Sequence, residues 1–241
     1  MVFIDGEVDG VFINNRVERT NEGFFFEISQ GAICAGNVFV NCNNGVRILN
    51  SSNVQVYQNT FFNSVAVFGR TERSAVGDHF GWHPSAGPDV AARHGHVFVN
   101  NLLAADDTFQ GPLLQFFQSP AVRDRLRDPQ VKALDGNVYV RRAGATAQPL
   151  IGWSPAQNER DTVEISAIDE LRKLHPPFEA KAQVFSDYWG PLFKSVELDD
   201  FELVRAFPAA NAGAPLPAAI RDLLQWKQDD AAFPGAYAPR W

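Results

Sequence analysis

The sequence predicts an all-β chain wound as a parallel solenoid of about six coils. Three observations predict it: an asparagine that recurs every 22 residues, apolar columns in register with it, and short β-rich runs without helical periodicity. Asn15, Asn37 and Asn59 are spaced 22 and 22 apart, and Asn101 and Asn137 extend the series after insertions. Two residues after each Asn the column reads Val17, Phe39, Phe61, Leu103, Tyr139, and three residues before it reads Phe12, Cys34, Val56, Phe98, Leu134. Both columns are apolar in all five copies, as stacked interior positions require. Asparagine suits the corners because it tolerates left-handed backbone and its amide can bond to the next Asn up the stack.

The elements follow in order. Val2–Asp5, Gly23–Ile28, Gly45–Leu49 and Val65–Phe68 read as successive strands of one face. Residues 71–95 interrupt the coils with Gly, Pro and three of the five histidines. The coil pattern returns at 96–103, Pro112–Phe117 reads as the next strand of the first face, and Ala121–Gln130 as a short helical insertion. Asn137 opens a further coil with Pro149–Trp153 as its later strand. Ser166–Leu174 has a Ser N-cap, early acids and late bases, so a helix is expected, ending at Pro176-Pro177. A second helix is expected over Ala218–Lys227, and no linker divides residues 1–241 into domains.

The strings GNVFVNCNNGVRILNSSNVQVYQNTFFNS (Gly36–Ser64), HVFVNN (His96–Asn101) and DGNVYV (Asp135–Val140) resemble the right-handed parallel β-helix proteins of the pectin-lyase-like superfamily. Asp199–Pro217, followed by Pro234–Tyr237, looks like the closing coil of bacterial members, which places that coil at 199–241. The resemblance implies carbohydrate-directed activity and a secreted or periplasmic location. Lyases, hydrolases, epimerases and non-enzymatic adhesins all use this fold. Family members usually start with a capping element, whereas Val2–Asp5 already aligns with Phe24–Glu27. The expectation is therefore either a longer protein whose preceding segment covers the first coil, or a homo-oligomer in which another chain covers it.

Composition narrows the partners. The net charge of −7 disfavours non-specific nucleic-acid binding. No apolar run of 18 residues could form a membrane-spanning helix, and no signal peptide is visible. Cys34 reads as a buried small hydrophobe and Cys42 as a turn residue, both reduced.

Candidate chemistry gathers on the first face. Phe24 and Phe26 pointing inward put Phe25 and Glu27 outward, Asp5 lies one coil below Glu27, and Arg47 takes the Phe25 position one coil above. Carboxylates on adjacent rungs, about 5 Å apart at their backbones, repel, so one pKa should rise toward that of a general acid. The alternative is a solvated face on which both acids are merely exposed. The 71–95 insertion leaves the same face and carries Arg70, His79 and His83 as candidate clamp and base. Here too the plain alternative is a folded-back loop whose charges satisfy one another.

His79-x3-His83 and His94-x-His96 match no standard zinc spacing, and alternating Asp5, Glu7 and Asp9 offer only a weak oxygen-ligand Ca²⁺ pattern, so no cofactor is expected. Trp82, Trp153, Trp189 and Trp241 are either sugar-stacking surfaces or seals between loops and coil. The functional expectation is a polysaccharide-degrading glycosidase or lyase with Asp5, Glu27, Arg47, Arg70, His79 and His83 as its site, acting on a polysaccharide or oligosaccharide. The alternative is a non-catalytic carbohydrate-binding or structural module.

Overall fold

The computed structural model describes residues 2–6, 8–73, 86–144, 147–227 and 232–238. Among them, three stacked sheets run the length of a parallel β-helix. Sheet 1 stacks β1 (Val2–Asp5), β4 (Glu22–Glu27), β7 (Asn44–Leu49), β10 (Val65–Arg70), β13 (Leu114–Gln118) and β16 (Ile151–Trp153) in parallel. Sheet 2 stacks β2 (Val11–Ile13), β5 (Ile33–Ala35), β8 (Gln55–Tyr57), β11 (His96–Val99) and β14 (Val131–Asp135). Sheet 3 stacks β3 (Arg16–Glu18), β6 (Val38–Val40), β9 (Thr60–Phe62), β12 (Leu102–Ala105), β15 (Val138–Arg142) and β18 (Gln183–Tyr188). The six parallel strands of sheets 1 and 3 make the six expected coils.

The register matches the sequence columns residue for residue. Val17, Phe39, Phe61, Leu103 and Tyr139 are successive partners in sheet 3, and Phe12, Cys34, Val56, Phe98 and Leu134 in sheet 2. The rings pack up the axis: Phe39 stacks on Phe61 at 5.1 Å and Phe68 on Phe116 at 5.1 Å. Spacings of this kind add about 0.5–1.5 kcal/mol per pair to simple burial.

Corners between sheets 2 and 3 repeat the same geometry in every coil. Asn14, Gly36, Gln58, Asn100 and Gly136 all have left-handed backbone, with φ between 53° and 67°. Each immediately precedes a ladder asparagine. At Gly36 a Cβ would stand 2.5 Å from Asn14 Oδ1, so glycine is required by approach as well as by φ. The N–H of Asn37 donates to Asn59 Oδ1 at 2.9 Å, and Asn37 Nδ2 donates to the same oxygen at 2.9 Å. Asn15 repeats this on Asn37, Asn59 on Asn101, and Asn101 on Asn137. From Asn37 to Asn137 the ladder is fully buried.

The ladder ends on an acid. Asn137 Nδ2 donates to Glu179 Oε1 at 2.8 Å, and the Tyr139 hydroxyl donates to the same oxygen at 2.6 Å. Burial pushes the Glu179 carboxyl up, the hydrogen bonds from Tyr139 and Asn137 pull it back, Asp135 raises it again, and it settles at about 7.

Several boundaries differ from expectation. The first helix, α1, spans Ile168–Leu174 with Ala167 rather than Ser166 at the N-cap, and Glu170 accepts the Ala167 N–H. The second, α2, covers only Ala218–Leu223. The 121–130 stretch holds one 3-10 turn, Pro120–Val122, because Asp128-Pro129 and the buried Gln130 are drawn onto the coil wall. Past the sixth coil, β17 (Val163–Ile165) pairs antiparallel with β16, and α1 packs Ile168 and Leu171 beside Trp153 and Phe178. This covers the C-terminal edge that an open solenoid would expose.

Nor do the described residues of segment 199–241 stack as a closing coil. β19 (Phe193–Ser195) and β20 (Asp200–Leu203) form an antiparallel pair on the outside of sheet 3. The chain then lays Leu216, Ile220 and Leu224 on the outer face of sheet 2. Its apolar residues bury against the outer faces of sheets 3 and 2 instead of extending the stack at the end that α1 covers.

Two stability outcomes follow from the ladder. Asn37→Ala and Asn59→Ala should each cost about 1–3 kcal/mol through orphaned buried partners, read as a lower midpoint in urea; unchanged midpoints contradict a structural ladder. Glu179 holds its proton more tightly folded (about 7) than its ordinary value of 4.5, so its stabilising protonation is complete below about pH 4.5 and is lost as pH rises through 7. The loss is on the order of 3 kcal/mol. Melting temperature should therefore fall between pH 5 and 8, and Glu179→Gln should flatten that fall.

Candidate functional site: a groove on the outer face of sheet 1

The outer face of sheet 1 is set by strand alternation. Phe25, Arg47, Val67, Gln115 and Gly152 form one outward column, and Asp5, Glu27, Leu49, Gly69 and Phe117 form another. Glu27 and Arg47 thus share a face, as their sequence positions require. They are not brought together. Arg47 Nη1 pairs with Glu22 Oε1 at 2.9 Å and its guanidinium lies 4.9 Å from the Phe25 ring centre. Glu27 pairs with Arg73 at 2.6 Å and is only 2% exposed.

Burial raises the Glu27 carboxyl, Arg73 lowers it, Asp5 raises it and Arg47 lowers it; the net direction is upward. Asp5 and Glu27 are therefore partners on adjacent rungs, but the Glu27 carboxyl is raised chiefly by burial rather than by Asp5, and it lies under Arg73.

Arg70 does not face this surface. It is 1% exposed: Nε donates to the Arg93 carbonyl at 2.8 Å and Nη1 to Gln118 Oε1 at 3.1 Å and the Asp128 carbonyl at 2.7 Å. Burial draws its pKa down to about 10. In this position it ties three segments of the coil wall together. His79 and His83 lie outside the described residues, as do Trp82, Trp241 and Glu7. His96 is interior: Nδ1 accepts the Val54 N–H at 3.2 Å, the ring packs on Phe68, and burial draws its pKa down to about 3. Asp9 sits at a separate left-handed corner against Gly31, away from Asp5. Trp153 is buried and Trp189 is exposed.

A groove of about 750 Å³ opens elsewhere on the same face. Its floor is Arg47, Val67, Gln115 and Phe117, its near side the corner Asn41–Asn44 with Asn63, and its far wall Thr108–Gln110 with Pro112. The wall exists because one corner lengthens. Between sheets 3 and 1, β9 and β10 are joined by Asn63 and Ser64 alone, whereas residues 106–113 join β12 and β13.

Asp106 organises that longer corner by accepting from Thr108 N–H at 2.9 Å, Thr108 Oγ1 at 2.6 Å and Asn63 Nδ2 at 2.9 Å. Burial works against the Asp106 carboxylate, but the bonds from Thr108 and Asn63 outweigh it and hold its pKa low. Arg141, buried behind the wall, donates to the carbonyls of Gly111 and Pro149. Its guanidinium lies 5.8 Å from the Phe109 ring centre.

The lining of this groove combines six amide side chains, Thr108 and one already-paired arginine with two Phe rings, two valines, Pro112 and Cys42, and has no Asp, Glu or His among them. A smaller continuation of about 330 Å³ past Pro112, Gln115 and Phe117 reaches Arg160 and Glu164, its single carboxylate. Sequence reasoning placed the wall at the 71–95 insertion and missed Asn43, Phe109, Gln110 and Gln115. The available signal was the corner lengthened to 106–113. Of the described part of the 71–95 insertion, Arg73 lies over Glu27 on this face, while Ala86 and Val90 pack on Ile28 and the Asp89 N–H donates to Gln30 Oε1 at a different edge.

Replacing Arg70 separates structural from site roles. Arg70→Met should lower stability by about 3–5 kcal/mol, as expected for a buried charged hydrogen-bonding group removed from its partners. An unchanged melting curve would contradict the structural role.

Comparison with known proteins adds one likeness. Residues 3–80, the first third of the chain, match the family described as NosD, periplasmic copper-binding protein. No curated protein and no solved structure matches the chain.

Proposed function

We propose that this chain is a non-catalytic β-helix module that binds a polysaccharide or oligosaccharide along the outer face of sheet 1. The observation that carries the reading is the lining of the groove: side-chain amides from Asn43, Asn44, Gln110 and Gln115 beside the rings of Phe109 and Phe117. Amides both donate and accept, which suits hydroxyl groups, and flat rings suit the apolar faces of pyranose rings. Hydrolysis or elimination needs an acid and a base converging on one bond. Among the described residues, the candidate pair Asp5 and Glu27 lies off the groove, with Glu27 paired to Arg73.

The copper binding in the matched family's description finds no support in the described residues, where no three His, Cys, Asp or Glu side chains gather. Cys34 and Cys42 are buried, and burial raises both thiols, which disfavours the thiolate a metal takes. The same description supports a periplasmic location, which we adopt as part of the proposal.

A glycan panel tests the reading. Binding should be saturable for at least one neutral or uronic polysaccharide, without reducing ends or unsaturated product appearing. Phe109→Ala and Gln115→Ala should each weaken binding by about tenfold, while Glu27→Gln leaves it unchanged. Product release that is abolished by Glu27→Gln would instead restore the enzyme reading.

A further inference from the structure

The groove and its smaller continuation meet at Pro112, Gln115 and Phe117, which line both. Together they form one trough along the solenoid axis, from Arg47 on β7 across β10, β13 and β16 to Glu164 on β17. Two outward positions beneath it are glycine: Gly69 on β10 and Gly152 on β16.

Neither glycine serves the backbone. Neither has left-handed φ, so no turn requires them. On other rungs the same columns carry Glu27 and Leu49, or Arg47 and Val67. A glycine inside a strand weakens it and marks a place where something approaches closely.

What approaches are the two outward side chains of β13. A β-carbon on Gly69 would collide with Cε1 and Cζ of its register partner Phe117, and one on Gly152 with the amide of its register partner Gln115. Phe117 therefore leans one rung back over β10, and Gln115 one rung forward over β16. They lean in opposite directions, so neither stands up in the middle of the trough. Gln115 Nε2 donates to the Phe116 carbonyl at 2.9 Å, and its Oε1 takes no hydrogen bond among the described residues.

Charge along the trough cancels. Arg47 is paired with Glu22, and the continuation holds one cation, Arg160, and one carboxylate, Glu164. The five successive rungs make a floor about 19 Å long. A pyranose in an extended chain advances by close to one rung.

We propose that Gly69 and Gly152 are positioning residues: they let Phe117 and Gln115 lie on the sheet, so that the trough admits an unbranched, neutral chain of about four sugar units along the solenoid axis. This rests on the reading of the face as a carbohydrate site and adds the length and charge of what it takes. The Phe117 ring offers a flat apolar surface to one pyranose, and Gln115 Oε1 accepts from a hydroxyl.

Titration calorimetry with cello-oligosaccharides of two to six units, which are unbranched and uncharged, tests it. Affinity should rise up to four units and then level off. Gly69→Ala and Gly152→Ala should keep the melting temperature, because the nearest atoms to each added methyl are side-chain ends. Each should weaken cellotetraose by about tenfold. A double-mutant cycle then separates positioning from plain strand stability. Gly69→Ala should cost nothing further in a Phe117→Ala background, nor Gly152→Ala in Gln115→Ala, whereas a glycine needed only by its strand costs the same in both backgrounds. Should either glycine variant unfold alone, the fold should recover when its partner is also cut to alanine; no recovery overturns the proposal. Full affinity in both glycine variants, equal costs in the two backgrounds, or affinity flat from two units to six would overturn it too. So would the absence of cello-oligosaccharide binding at about 5 mM, although binding of another polysaccharide would then leave the carbohydrate reading of the face standing.

Discussion

A buried primary amide carries two donor hydrogens and an oxygen with two lone pairs, and the ladder asparagines from Asn37 to Asn137 use all of them. Asn37 receives the N–H and Nδ2 of Asn15 on its oxygen, while its own Nδ2 reaches Asn59 Oδ1 and the Phe12 carbonyl. Asn59 does the same between Asn37 and Asn101. Each coil is therefore fixed to the next at a corner, where a backbone ladder alone would leave groups unpaired. A coil one residue longer at this point would leave two amides unsatisfied inside the wall, each costing about 1–3 kcal/mol. The constraint holds this corner in every coil, whether the next asparagine lies 22, 42 or 36 residues on.

Because the corner between sheets 2 and 3 cannot change, variation is confined to other corners. The 71–95 insertion leaves after β10 of sheet 1, and the eight residues 106–113 leave between sheets 3 and 1. The second of these walls the groove. Rigid stacked strands supply its floor and a loop its specificity, the usual division between scaffold and site. The C-terminal segment follows the same logic: it adds no coil and instead covers the flanks of sheets 2 and 3 with Phe193, Phe201, Leu216 and Ile220.

Legibility in the sequence tracked periodicity. The fold, its coil number, the inward columns and the pairing of Asp5 with Glu27 could all be read, because stacking converts a 22-residue spacing directly into contact. Surroundings could not. Nothing local marks Arg47 as the partner of Glu22, or Arg73 as the cover of Glu27, since both depend on side chains reaching across coils. Arg70 looked like a site residue because it opens an insertion, yet it faces carbonyls that only the folded wall assembles. The groove residues Phe109 and Gln110 lie in a loop with no motif. Only the altered length of that corner could have pointed to them.

Hydrogen exchange at the backbone amides of Asn37, Asn59 and Asn101 tests the central claim most directly. These N–H groups have side-chain acceptors on the next coil rather than carbonyls. If the amide ladder holds the coils together, all three exchange only through global unfolding, with protection equal to that of the core strand amides. Exchange as fast as that of the exposed 154–163 loop, while the sheet amides stay protected, would show that the coils stack without the ladder.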